Sequence, residues 1–350
     1  MKKLLFLPPL LLIYSGSCGQ NNGDLPPFSA IAPDSVFHYP IDTADYLDYH
    51  RYIYQAERYF LDGEDSLSLK VYWKVFEAYS FIFAKDAAIA AQVAAKQDSP
   101  RLFLCLADRS FRSGVMLDCL IDIPILARFI ERYNLGDTLA VMNEAGRKYY
   151  LASINLEQKQ HYIQRYREEQ AFKKAKVFEP YRLAVLANID AIRQDIDAGS
   201  FPAGRIIGID DPFLSPERDH CQLSSEVTLI SLYHYPCSYS ELRELLFEEV
   251  RKGNLHPKDV AFIYEYEKEL SKNGHNRFEG RCQPMDKEST PVYIDWEEPV
   301  DPRTFPAANA QRRAFFLPPV EHSLRKKAYA EKHGMRLFFG FGIGFFRGHR

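Results

Sequence analysis

A mainly α-helical fold is predicted by three observations. Apolar residues recur at three- and four-residue steps from Ala44 onward, chain breakers fall between those runs, and helical spacing returns in the second half at Val227 to Tyr233, Ser240 to Arg251 and Pro257 to Leu270. Tyr46, Tyr49, Ile53, Ala56 and Phe60 lie on one face of a first helix that Gly63 ends. Leu69, Tyr72, Phe76 and Tyr79 mark a second helix. Phe83, Ala87, Ala90 and Ala94 mark a third, whose small side chains permit close approach of a neighbour. Ser99-Pro100 supplies an N-cap followed by Pro at the first helical position, opening a fourth helix with Phe103, Leu106 and Ser110 on its face before Gly114. Gly136-Asp137-Thr138 restarts helix, which continues in charged sequence through Gln170 to about Ala198, where Gly199, Pro202 and Gly204 break it. From Lys272 to Pro319, Pro, Gly and charge dominate, as in an irregular extended arm laid over the body.

The expected organisation is a leader at 1–17, a flexible tether at 18–40, a hairpin-built helical domain at 41–155, a mostly helical domain at 156–325 and an apolar Gly/Phe tail at 326–350. At 350 residues the chain has the length for two domains. In the tail, alternation puts Leu337, Phe339, Phe341, Ile343 and Phe345 on one side and Gly340, Gly342 and Gly344 on the other. That reads as a terminal strand or a docking tail. A phosphate loop would need a following helix.

Ala56 to Gly63 and Ala90 to Gln97 lie 34 residues apart, and Tyr59, Gly63 and Tyr72 resemble the aromatic, glycine and aromatic positions of tetratricopeptide-type helical hairpins. A plain helical bundle accounts for the same faces. The repeat resemblance implies a concave surface for a protein or peptide partner.

The leader has basic Lys2 and Lys3, an apolar run from Leu4 to Ile13 and the small-residue approach Ser15-Gly16-Ser17-Cys18. Cys18 resembles the lipobox cysteine of bacterial lipoproteins. The resemblance implies cleavage before it, acylation of its sulfur and anchoring to a bacterial membrane, the outer membrane being the expected address. An ordinary signal peptide with an incidental Cys is the alternative. No later stretch is apolar enough over the length a bilayer requires.

The chain carries 44 basic and 47 acidic residues, a formal charge of -3, so no net field attracts nucleic acid. No cofactor motif appears, and no known nucleophile or metalloprotease motif. If Cys18 is acylated, five of the six cysteines remain, an odd number that argues against a fully paired framework. Cys221 with Cys237 is the first pair to expect. His220, Cys221, His234 and Cys237 are also the one metal-like set, but adjacent His220 and Cys221 rarely hold one zinc ion together, so no metal is assigned.

From Ile163 to Pro319 the chain resembles an uncharacterised family of bacterial domains. Glu169-Gln170-Ala171-Phe172-Lys173, Phe201-Pro202 with Gly208, His234, Ala261 to Glu265, Phe278 to Gln283, Gln311-Arg312-Arg313 and Leu317-Pro318-Pro319 stand for the family's motifs. This implies a fold more than a role, since most of the polar positions are substituted. Glu169, Gln170, His234 and Glu265 form the candidate polar cluster. If they share a groove, a hydrolase or transferase is the reading. If they are scattered and solvated, a binding scaffold is the reading; the residues by themselves make Glu169 with Lys173 an i, i+4 ion pair of about 0.2 to 0.5 kcal/mol, and the apolar surroundings of His234 predict a structural residue hydrogen-bonded to a carboxylate or backbone group.

Overall fold

The computed structural model describes residues 45–212, 220–272, 292 and 301–339, all within the second of the chain's two compact units, Tyr39–Arg350. Cys18, the leader and the whole of the tether lie outside the described residues, as do 340–350 and the side chain of His220. Among the described residues the fold is mainly helical and contains no strand.

Helix α1 (Tyr46–Leu61) starts where Asp45 accepts the Leu47 N–H at 2.8 Å, an N-cap that satisfies one orphan amide. Its buried stripe, Tyr46, Tyr49, Ile53, Ala56 and Phe60, is the predicted face. It packs on α2 (Asp65–Ala78), and α3 (Ala84–Lys96) packs on α4 (Pro100–Arg112). The alanines of α3 are buried on every side, because this helix touches α2, α4 and α6 at once. The turns fall at Gly63, at Gln97 to Ser99 and at Gly114, as expected.

Two short helices, α5 (Leu117–Ile121) and α6 (Pro124–Arg132), fill a stretch in which the sequence pattern places no individual helix. α7 (Gly136–Ser153) then lies on α4, and Gly146 makes the contact close: a Cβ there would sit 2.4 Å from Phe111 Cβ. The charged run after it is divided. α8 (Leu156–Ala175) opens on an Asn155 cap and closes at Lys176 in left-handed geometry, φ 57°, before α9 (Phe178–Asp197) begins.

The second half adds α10 (Glu226–His234), α11 (Ser238–Arg251), α12 (Pro257–Lys272), α13 (Phe305–Ala314) and α14 (Val320–His333). α10 is enclosed by α8, α9 and α12, so it is apolar around most of its circumference. Helices on either side of residue 155 belong to this one unit, and α1 touches both α11 and α14.

Two expectations are corrected. Within the arm expected at Lys272 to Pro319, residues 302–314 are helical, a 3-10 turn at Pro302–Thr304 running into α13. Asp301 caps the turn and Pro306 sits in the first turn of the helix. And Cys221 bonds to Cys119, with Cα atoms 5.3 Å apart, so it does not pair with Cys237. Cys105 and Cys237 are also disulfide-bonded, and no described cysteine is free. The sequence separation of 102 shows why spacing misled: α5 and the segment before α10 are brought together only by the tertiary fold.

Past Gly334, burial alternates from Met335 through Leu337 to Phe339, as a docking tail requires. The Gln92 side chain holds it in place, donating to the Arg336 carbonyl at 2.8 Å and accepting its N–H at 2.7 Å.

Candidate functional site

Of the four residues in the expected polar cluster, Glu169 and His234 meet. Glu169, on α8, is wholly buried, and its Oε1 bonds His234 Nδ1 at the end of α10. Oε2 accepts from Asn188 Nδ2 at 2.7 Å and from the Ser231 hydroxyl at 3.1 Å. Lys173 Nζ lies 2.7 Å from His234 Nε2. An ionised carboxylate only accepts and an ammonium only donates, so Nδ1 carries the proton and Nε2 accepts from Lys173. Burial would raise the Glu169 pKa, but the bonds from His234, Asn188 and Ser231 outweigh it and hold the carboxyl below its usual range.

The direct ion pair expected between Glu169 and Lys173 is therefore replaced by a relay through the imidazole. Gln170 makes no bond to this network, its amide nitrogen buried without a hydrogen bond among the described residues. Glu265 accepts the Val292 N–H, while its neighbour Tyr266 turns its ring toward His234 at 6.5 Å. The metal-like set is excluded as a thiolate site because Cys221 and Cys237 are both in disulfides, and a sulfur so bonded has no thiolate charge to offer zinc.

A second constellation, not anticipated from the sequence, gathers at the cleft where α1, α3, α12, α14 and the docked tail converge. The cleft contains ≈ 620 Å³ of empty space, counting its mouth. Lys85, Lys258, Arg312 and Lys326 line it together with two carboxylates, Glu57 and Asp86. Each element contributes for a local reason. Glu57 and Asp86 sit on the buried faces of α1 and α3, Lys258 lies in the first turn of α12 after Pro257, and Arg312 is in the last turn of α13.

Glu57 is fully engaged: Lys326 bonds its Oε1 and His322 Nε2 lies 3.0 Å from its Oε2. Burial pushes its pKa up, yet Lys326 and His322 prevail and hold it at about 2. Asp86 accepts the Tyr49 hydroxyl at 2.8 Å. For it burial wins over the attraction of Lys85, so its pKa rises to about 6. Arg312 braces the wall, donating to the carbonyls of Pro318 at 2.5 Å and Val292 at 3.0 Å and to the Ser323 hydroxyl at 3.1 Å. Lys258 Nζ donates to the Phe339 carbonyl at 2.9 Å, tying α12 to the tail.

Lys85 differs from its neighbours. It is half-buried, lines both this cleft and an adjoining recess of ≈ 570 Å³, and makes no hydrogen bond or salt bridge among the described residues. Burial lowers its pKa, against the pull of Asp259 and Asp86. His256 also lines both spaces. Its ring stands edge-on to His50 with centroids 4.6 Å apart, and burial followed by the nearby Lys85 charge keeps both imidazoles neutral well below the usual histidine range.

No protein-family model, curated protein or solved structure matches the chain. The cleft was hidden in the sequence because its residues come from five separated stretches with no common spacing. Lys85 and Asp86 stand at the head of an alanine-rich helix where a solvated first turn is the ordinary reading.

Proposed function

We propose that the protein is an exported, lipid-anchored envelope protein whose helical body is a binding scaffold, with the cleft beside Lys85 as its ligand site. The observation that carries the binding reading is an ammonium held half-buried at the junction of two recesses, beside a wall in which Glu57, Lys326, Arg312 and Lys258 have hydrogen-bond partners. Buried ionic groups contribute little to stability unless paired, so such a wall is retained more readily for a ligand than for the fold.

Export is supported by the leader ending at Cys18 and by the Cys119–Cys221 bond, since disulfides persist in oxidising compartments. No described helix is long and apolar enough to cross a membrane, and the attachment proposed is through lipid on Cys18. The alternative, a hydrolase or transferase around His234, fits less well. The Nε2 lone pair a general base would use already accepts from Lys173.

Photo-crosslinking in intact cells tests this reading. A benzophenone side chain at Phe338, on the cleft wall, is expected to capture ligand or partner in the membrane fraction. The same group at Val141, 65% exposed on α7, serves as the control. Equal capture at both positions, or none at Phe338, would overturn the site. The anchor is read on the same samples: fatty-acid label on the wild type and none on Cys18→Ser is expected, and a disulfide through Cys18 in non-reducing peptide maps would overturn it.

A further inference from the structure

We propose that the cleft takes an organic oxyanion, a carboxylate or phosphate carried on an apolar body, with its charged end at Lys85 and its body along Leu317, Leu337 and Phe339. The inference rests on the reading of the cleft as the ligand site and names the class of ligand.

Charge sets the sign of the ligand. Lys258 is offset by Asp259, which also faces Lys85, and this leaves Lys85, Arg312 and Lys326 against the carboxylates of Glu57 and Asp86, with Glu57 already bonded by Lys326 and His322. A cationic guest would meet this remaining positive charge at close range, whereas an anion would neutralise it.

Hydrogen bonding sets the kind of anion. Three groups on the wall offer protons. The Lys85 ammonium has no hydrogen-bond partner among the described residues. The Tyr54 hydroxyl is buried and unpartnered there as well. The third group is His256, whose Nδ1 accepts the Lys258 N–H at 3.0 Å. In the neutral ring that places the proton on Nε2, making it a donor. An oxyanion has several acceptor lone pairs and no need to donate, so it satisfies such a set, and charge-assisted bonds of this kind are the strong ones. A buried hydroxyl left without a partner is costly, and a ligand oxygen would relieve it.

The remaining wall sets the body. Ile53, Ile89, Leu317, Leu337 and Phe339 line the same space, so a bare inorganic ion would leave apolar surface uncovered.

Isothermal titration of the detergent-solubilised mature chain tests the proposal with four probes: hexanoate, hexyl phosphate, inorganic phosphate and the neutral isostere hexanamide. Hexanoate or hexyl phosphate is expected to bind, and the tighter of the two assigns the headgroup. Hexanamide is expected to give no heat. Lys85→Met should weaken the anion about tenfold or more, Lys85→Arg should largely retain it, and Tyr54→Phe should weaken it about three- to tenfold. Unchanged far-ultraviolet circular dichroism shows that each variant is folded. If hexanamide binds as well as hexanoate and Lys85→Met changes nothing, the oxyanion is overturned while the cleft remains a ligand site. If inorganic phosphate matches hexyl phosphate, the apolar body is overturned. If none of the probes binds but Phe338 still captures a ligand in cells, the ligand class alone is wrong; if neither occurs, both readings fail.

Discussion

Glu169→Ala is expected to destabilise the protein by about 3 to 5 kcal/mol, the usual cost of breaking a buried ionic network by removing one partner. The carboxylate accepts from three groups at once, His234 Nδ1, Asn188 Nδ2 and the Ser231 hydroxyl, and all of them are buried. Alanine would leave each without an acceptor in a place water does not reach, and would leave Lys173 bonded to an imidazole with no counter-charge behind it. Because the folded-state pKa of Glu169 is depressed, this stabilisation is present above the ordinary glutamate range and is lost as pH falls through the lower folded value. The gap between wild type and variant should therefore narrow in acid. His234→Ala removes one donor and should cost less, about 1 to 3 kcal/mol. Urea denaturation at several pH values measures both. A loss below about 1 kcal/mol for Glu169→Ala would show that the network is not buried as described.

The double substitution Cys119→Ala/Cys221→Ala should cost a comparable amount, about 3 to 5 kcal/mol, because the bond closes a loop of 102 residues and the entropy it removes from the unfolded chain grows with loop length. Both sulfurs are buried. Helix α5, only five residues long, is too short to be stable without tertiary support, so the bond to Cys221 also secures its position. Calorimetry under non-reducing conditions should show the variant melting well below the wild type. Melting temperatures that coincide would mean that the two segments are held without the bond.

Much of the fold was legible because long amphipathic helices write their buried face at regular steps. Tyr49, Ile53, Ala56 and Phe60 are legible for that reason, and each is buried. Helices α5 and α6 were not, being too short to display a period, although Pro124 at the start of α6 is a signal that could have revealed it. The division between α8 and α9 was hidden because Lys176, not Gly or Asn, adopts the left-handed turn. Disulfide partners cannot be read from spacing, and the Cys119–Cys221 bond shows it.

Within the candidate site, the pairing of His234 with a carboxylate was legible from its apolar surroundings, which make an unpaired imidazole costly. That Gln170 would not join was legible in principle, since successive helix residues point about 100° apart. The cleft had no such trace: Glu57 and Lys326 are 269 residues apart, and nothing local announces that they touch.

The central claim is that the charged cleft is kept for a ligand at some cost in stability, and Asp86→Asn tests it most directly. Burial raises the folded pKa of Asp86 from 3.8 to about 6, so its effect on stability is favourable below the unfolded value and is lost as pH rises through about 6. At pH 8 the folded protein carries a buried carboxylate that asparagine would remove, while the amide oxygen could still accept the Tyr49 hydroxyl. Chemical denaturation at pH 8 should find Asp86→Asn more stable than wild type by roughly 1 to 3 kcal/mol, with the two proteins alike near pH 3. A variant less stable than wild type at both pH values would contradict the claim and make the cluster part of what holds the fold together.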